Sequence, residues 1–329
     1  MQLDDGRHPP LHTEDSGRGN LPRRLDRIHG RDNDLDNIRE ALSLSPVVTL
    51  VGPGGIGKTR LALAVGMSDD AVAGVWLVEL ARIASSNDVP RAVADVLDVK
   101  EGPGRSLLQS VVAALQARSA LLVLDNCEHV IDGAAELVQA IARGCSNVRV
   151  LATSREALGV SGERLILVGP LDPAGSAVEL FNERAEALSA TFDAAASRSD
   201  VEQICRRLDG IPLAIELAAA RTRTLAPSEL VDRLGHRLQV LTGGLRTAPE
   251  RHRTLRATIQ WSYDLLEPAQ QTLFQRLSVF AGPFTLEGAG TVGAGDIDDL
   301  LQELVENGHR RFRTLRPSLP AAGHHAGVR

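Results

Sequence analysis

Gly52-Pro53-Gly54-Gly55-Ile56-Gly57-Lys58-Thr59 is the stretch on which the reading of this chain turns. It fits the pattern G-x-x-x-x-G-K-[ST]. Val47-Val48-Thr49-Leu50-Val51 precedes it and has the apolar, β-branched character of a buried strand. Arg60-Leu61-Ala62-Leu63-Ala64-Val65 follows it and reads as a helix. Strand, glycine-rich bend and helix in that order make a phosphate-binding P-loop. Gly52, Gly54, Gly55 and Gly57 let the backbone curl so that successive N–H groups point inward, a nest for anions. The helix then contributes free N-terminal amides and its dipole, reaching the phosphates from Ile56 through Arg60. Lys58 supplies a compact charge for the outer phosphates, and the Thr59 hydroxyl is placed to ligate Mg²⁺. Of 36 basic residues only Lys58 and Lys100 are lysines, so a lysine at this point is informative. The competing reading, a strand-to-helix turn with an incidental lysine, is weakened by the correct flanks.

The composition sets the frame. The 329 residues are 43% hydrophobic and 24% charged, which is globular and enough for two or three domains. Aromatics make up 3%, so the core must be aliphatic. A net charge of −6 argues against a basic footprint over the whole surface, though not against a local one. Cys127, Cys145 and Cys205 are too few and too far apart for a disulfide framework or a zinc site. A reducing cytoplasm fits. No apolar run approaches membrane-spanning length. Residues 1–20 are polar and lack the apolar core of a signal peptide, so a disordered tail is expected there.

Strand candidates are Val47–Val51, Val75–Leu80, Ala120–Leu124, Val148–Ala152 and Leu165–Val168. Between them Leu107, Leu108, Val111, Val112 and Leu115 recur at helical spacing, as do Leu137, Val138 and Ile141. Continuously apolar strands alternating with helices predict a parallel sheet covered on both faces, an α/β P-loop NTPase core over residues 21–169. After Pro170 the strand signals stop. Ala177–Leu188, Val201–Leu208, Leu213–Arg221 and Pro227–Leu234 predict an all-α domain over residues 170–245. From His252, Leu255, Ile259, Trp261, Tyr263 and Leu266 lie on one helix. Glu267-Pro268 breaks it, and Leu273, Phe274, Leu277 and Phe280 stripe the next. The tail 309–329 holds five arginines, three histidines and no acid, and reads as a disordered end.

A P-loop needs a second acid for Mg²⁺. Ala120-Leu121-Leu122-Val123-Leu124-Asp125 supplies it, a strand ending in a carboxylate. Asp125 holds the metal on this reading; the plainer one is a strand-end aspartate capping the next helix. Asn126 follows, and an amide cannot act as a general base. Glu128 is near enough in sequence to substitute, but with an amide directly after Asp125 fast hydrolysis is doubtful. Val148-Arg149-Val150-Leu151-Ala152-Thr153-Ser154-Arg155 is a strand ending in polar residues. At the carboxyl edge of the sheet Arg155 could reach a γ-phosphate; a plain surface arginine is the alternative.

Together these residues resemble the STAND class of signalling ATPases, and within it the NB-ARC-like module of bacterial regulators of the LuxR and AfsR kinds. The resemblance spans about Leu21 to Glu306. Gly54 to Ala62 looks like that family's P-loop, Leu122 to His129 like its bacterial Walker B variant, and Ala152-Thr153-Ser154-Arg155 like its sensor strand. Ile28-His29-Gly30-Arg31-Asp32-Asn33-Asp34-Leu35 resembles the motif hhGRxxE, which contacts base and ribose, with His29 in place of an apolar residue and Asp34 in place of Glu. Leu208-Asp209-Gly210-Ile211-Pro212-Leu213-Ala214 resembles the GLPLA motif, whose proline packs on adenine. The resemblance implies a partial winged-helix domain over residues 246–308. It also implies an adenine nucleotide cofactor, ATP or ADP with Mg²⁺: ADP holds a closed monomer, and ATP opens it for self-association.

The family usually continues through a wing, sensor repeats and a DNA-binding helix-turn-helix. None is seen here, and the resemblance stops near Glu306, which suggests a truncation or frameshift. The leading expectation is an ATP/ADP-binding signalling switch with weak ATPase activity. A DNA-binding regulator, which this chain alone does not support, is the second, and an inert remnant the third.

Overall fold

The computed structural model describes residues 19–22, 24–68, 74–234, 268–280 and 286–293. Two compact units divide the chain between Leu265 and Leu266.

In the first unit five strands form one parallel sheet. They are β1 (Val47–Val51), β2 (Gly74–Glu79), β3 (Ala120–Asp125), β4 (Val148–Ser154) and β5 (Glu163–Leu167), in the order β2-β3-β4-β1-β5. Each lies within two residues of the apolar run that predicts it. Five helices cover the sheet: α1 (Asp32–Leu44), α2 (Lys58–Met67), α3 (Val89–Leu97), α4 (Leu107–Leu115) and α5 (Ile131–Gly144). Alternation along β3 shows how both faces are filled. Leu121 and Val123 pack with Ile38, Leu61 and Val65 of α1 and α2. Ala120, Leu122 and Leu124 pack with Val93, Val111 and Leu137 of α3, α4 and α5. Every β3 residue is buried, and each leucine removed from water contributes roughly 1.5–3 kcal/mol before its entropy cost. That is why the central strands read as predominantly apolar runs.

Beyond the sheet come α6 (Ser176–Leu188), α7 (Arg198–Arg207), α8 (Pro212–Ala219) and α9 (Pro227–Leu234), around a core of Phe181, Ile204, Ile215, Leu217 and Leu230. Pro212 and Pro227 open their helices, where a missing N–H costs nothing.

In the second unit, helices Pro268–Leu277 and Leu286–Gly293 are described. Leu273 and Leu277 are buried, while Phe274 and Phe280 are half-buried, so the expected apolar stripe is present. The helix expected over Leu255 to Leu266, the tail 309–329 and most of the residues read as a partial winged helix lie outside the described residues. So does the expected N-terminal tail, apart from Gly19 and Asn20.

Candidate functional site

β4 pairs with both β1 and β3, so the carboxyl ends of these three strands lie side by side. The 52–57 loop leaves β1 there, Asp125 ends β3, and Thr153, Ser154 and Arg155 close β4. This is the edge at which open parallel sheets bind ligands.

Within the loop the glycines serve different ends. Gly55 (φ 76°) and Gly57 (φ 100°) hold left-handed backbone, which a side chain would strain. Gly52 is required by close approach: a Cβ there would meet the Val168 carbonyl at 2.9 Å. Gly54 shows no positive φ, so the expectation that all four glycines are needed for the curl holds for two.

Lys58, first residue of α2, is buried. Its Nζ donates to the carbonyls of Gly52 (2.6 Å) and Pro53 (3.1 Å). Burial pushes its pKa down to about 8, although the charges of Glu128 and Asp125 pull it upward. A desolvated amine held by loop carbonyls is ready to exchange them for phosphate oxygens.

Asp125 is buried and accepts two short hydrogen bonds on the same Oδ1, from Thr59 Oγ1 and Thr153 Oγ1, each at 2.6 Å. Burial raises its pKa, and the two hydroxyls work against that rise. Thr59 and Asp125 thus bring two hard oxygen donors together, on a buried carboxylate that a cation would relieve. That chemistry fits Mg²⁺, which takes few protein oxygens and completes its shell with water and phosphate. Among the described residues no three His, Cys, Asp or Glu side chains gather into a metal cage. Thr153, whose hydroxyl also accepts from the Asn126 amide (3.0 Å), was quoted within the sensor strand, but its role was not read.

Asn126 adopts φ 65° and turns the chain after Asp125, so that Glu128 comes back to the site. Glu128 Oε1 lies 3.3 Å from Arg155 Nε and accepts from Asn126 Nδ2 at 3.3 Å. Arg155 is therefore buried, and the surface-arginine alternative is excluded.

The residues of the two outer motifs meet in an open cleft. Ile28, Arg31, Ile56, Arg60, Leu180 and Pro212 line it. The Arg31 guanidinium donates to Asp34 Oδ2 (2.8 Å), Ile56 O (3.0 Å) and Gly169 O (2.8 Å), clamping the loop to the end of the sheet. His29, buried beside it, has its ring nitrogens 2.8 Å from Glu183 and 3.4 Å from Glu179 of α6. Arg60 pairs with Glu216 of α8 (3.0 Å), which also meets Arg184, and Arg184 reaches Asp26 (2.6 Å). This network escaped the sequence reading because its members lie far apart in the chain.

A glycine loop, a Thr–Asp pair beside it and a parallel sheet define a P-loop NTPase domain, and residues 42–169 match the family model described as AAA domain. The chain belongs to the same family as the Mycobacterium tuberculosis protein Rv0894, with 41% identity over 279 residues, 84% of this chain and 71% of that protein. It is also 43% identical over 294 residues to Rv0890c of the same organism, a protein named as an HTH-type transcriptional regulator. That match takes in 84% of this chain and 33% of Rv0890c. The Walker-type ATPase paby2304 of Pyrococcus abyssi shares the fold, with a TM-score of 0.55 at 16% identity over 87% of this chain and 92% of that one. No described helix is long and apolar enough to cross a membrane.

Proposed function

We propose that this chain is an ATP/ADP-dependent signalling switch with slow hydrolysis, built like the NB-ARC-like module of STAND regulators of the LuxR kind. The observation that carries it is a direct bond between the phosphate loop and the helical segment. The Leu213 amide donates to the Gly55 carbonyl at 3.2 Å. A nucleotide that rearranges the loop therefore acts on α8, and a switch needs such a differential contact.

In this reading Gly52 through Arg60 cradle the phosphates and Lys58 neutralises the outer ones. Thr59 and Asp125 hold Mg²⁺, which supplies charge neutralisation at the phosphates when bound. Arg31 and Pro212 border the base and ribose, and Arg155 senses the terminal phosphate. Glu128 is the carboxylate available to position water; its engagement with Arg155 agrees with slow turnover. The 43% relative is named as a regulator and the match takes in only 33% of it, so DNA contact is assigned to no residue of this chain. The triphosphate state is proposed to self-associate in the cytoplasm.

Identifying the nucleotide that copurifies, and titrating the emptied protein with ADP and ATP by calorimetry, tests the reading. Soluble folded protein that carries neither and releases no heat with either would sink it.

A further inference from the structure

Glu128 and Arg155 form a pair whose side chains are 3% and 4% exposed. Burying two charges is costly, and is tolerated when their remaining lone pairs and protons are satisfied. Glu128 does not meet that condition. Its Oε1 takes both contacts, from Arg155 Nε and Asn126 Nδ2, while Oε2 is shut off from solvent with no hydrogen-bond partner among the described residues. A carboxylate accepts about four hydrogen bonds when fully satisfied. The pair also lies within electrostatic reach of Lys58: Glu128 raises the affinity of that amine for its proton, and Arg155 lowers it. An under-satisfied buried carboxylate thus stands next to the anion site, holding an arginine that an anion would attract.

We propose that Glu128 sets this site's preference between nucleoside diphosphate and triphosphate, by competing with the terminal phosphate for Arg155. The inference rests on the nucleotide reading of the loop. A diphosphate ends short of Arg155 and leaves the pair intact. A triphosphate brings a further negative charge toward Arg155, into a poorly solvated place already occupied by a carboxylate. To draw Arg155, that charge must offset the attraction of Glu128, and an opposite charge a few ångströms away at the effective dielectric of such sites changes an equilibrium constant by more than about tenfold. Glu128 is therefore a positioning residue that acts through Arg155, and its charge holds the site in the diphosphate state. Glutamine at position 128 keeps the shape but removes the charge.

The test is calorimetry on the full chain with Mg²⁺ and either ADP or the non-hydrolysable triphosphate AMPPNP, so that turnover does not enter. Glu128→Gln is expected to tighten AMPPNP by tenfold or more and to leave ADP within about threefold. In an Arg155→Met background the same change is expected to move AMPPNP by less than threefold. An unchanged AMPPNP-to-ADP ratio in Glu128→Gln overturns the proposal. So does a full gain that persists without Arg155, since that is repulsion and not competition. If the wild type binds neither nucleotide, the nucleotide reading itself falls; if it binds both and the ratio stays fixed, only this inference falls. Should Glu128→Gln not fold, the wild type still decides. The Arg155 Nε–H resonance, assigned by its loss in Arg155→Met, should move with AMPPNP and stay in place with ADP. The same position with both overturns the competition.

Discussion

Leu213 donates its amide to the carbonyl of Gly55 at 3.2 Å, and an added Cβ on Gly55 would lie 2.9 Å from Leu213 Cβ. The first amides of a helix have no partner within it. Pro212 has no N–H to lose, and the Leu213 amide finds its acceptor in the phosphate loop. The left-handed residue of the loop and the opening turn of α8 are therefore fitted to each other.

Gly55→Ala should damage both. The alanine meets left-handed strain of about 1–2 kcal/mol and a clash with the body of a leucine side chain. A loss of about 2 kcal/mol or more in urea unfolding is expected, with ADP affinity down at least about tenfold. Wild-type stability in this variant would contradict the observed fit.

Lys58 carries a pH signature. Its folded pKa, about 8, lies below the ordinary lysine value of 10.5, so the unfolded chain binds the proton more tightly. The buried charge costs stability fully below pH 8, and the cost is relieved as pH rises from about 8 to 10.5. The full span is on the order of 3 kcal/mol. Urea unfolding of wild type and Lys58→Met across that range checks this: the wild type should gain on the variant as pH rises. A constant difference would mean the amine is not desolvated. With Lys58→Ala, the thermal stabilisation given by ATP or ADP should vanish.

Asp125→Asn separates folding from metal chemistry. Burial raises the Asp125 pKa, so the charged form is disfavoured in the fold, and stability from this group increases as pH falls through the folded value. An amide oxygen still accepts from Thr59 and Thr153 without that penalty. The nucleotide-free variant should unfold at the wild-type urea midpoint or above it. The Mg²⁺-dependent part of its nucleotide affinity should fall by about tenfold or more, because a neutral amide is a poor ligand for a hard cation. Equal Mg²⁺ dependence in both proteins would move the metal elsewhere.

Glu216→Ala probes the clasp between α2 and α8. Arg60 lies in the first turn of α2, where the helix dipole disfavours a cation, and Glu216 offsets it. The partners are about a quarter to a third exposed, so the loss should stay near 1 kcal/mol. Arg184 lowers the Asp26 pKa through its hydrogen bond, so that contact contributes above the ordinary aspartate pKa and fades as pH falls through the lowered one. ADP affinity measured by calorimetry should drop a few-fold. No change in affinity would show that α8 does not hold the loop in its working shape.

Much of the sheet was legible because burial on both faces leaves few polar positions in a central strand. β5 was the least well bounded, since Glu163 and Arg164 begin an edge strand with three of its five residues exposed. Two helices were missed. In α3 the signal was there, with Val89, Val93, Ala94 and Leu97 at helical spacing behind Pro90. In α1 only Ile38, Ala41 and Leu42 are buried among many charges, and the motif at its start drew the reading away from its periodicity. The site was readable where it is contiguous, from Gly52 to Arg60 and at Asp125, and unreadable where it is assembled from distant segments.

The sequence by itself determined that this chain folds a glycine bend between a buried strand and a helix, and ends a neighbouring strand in a carboxylate. Those outcomes follow from local φ preferences and from burial periodicity, which nearby residues fix. Only the tertiary structure decided that Leu213 closes on Gly55, that Glu216 faces Arg60, and that Glu128 holds Arg155. These contacts join residues from 27 positions apart, Glu128 and Arg155, to 158 apart, Gly55 and Leu213. Chain order does not encode such pairings; they arise when β4 inserts between β1 and β3 and the helical segment folds against the loop.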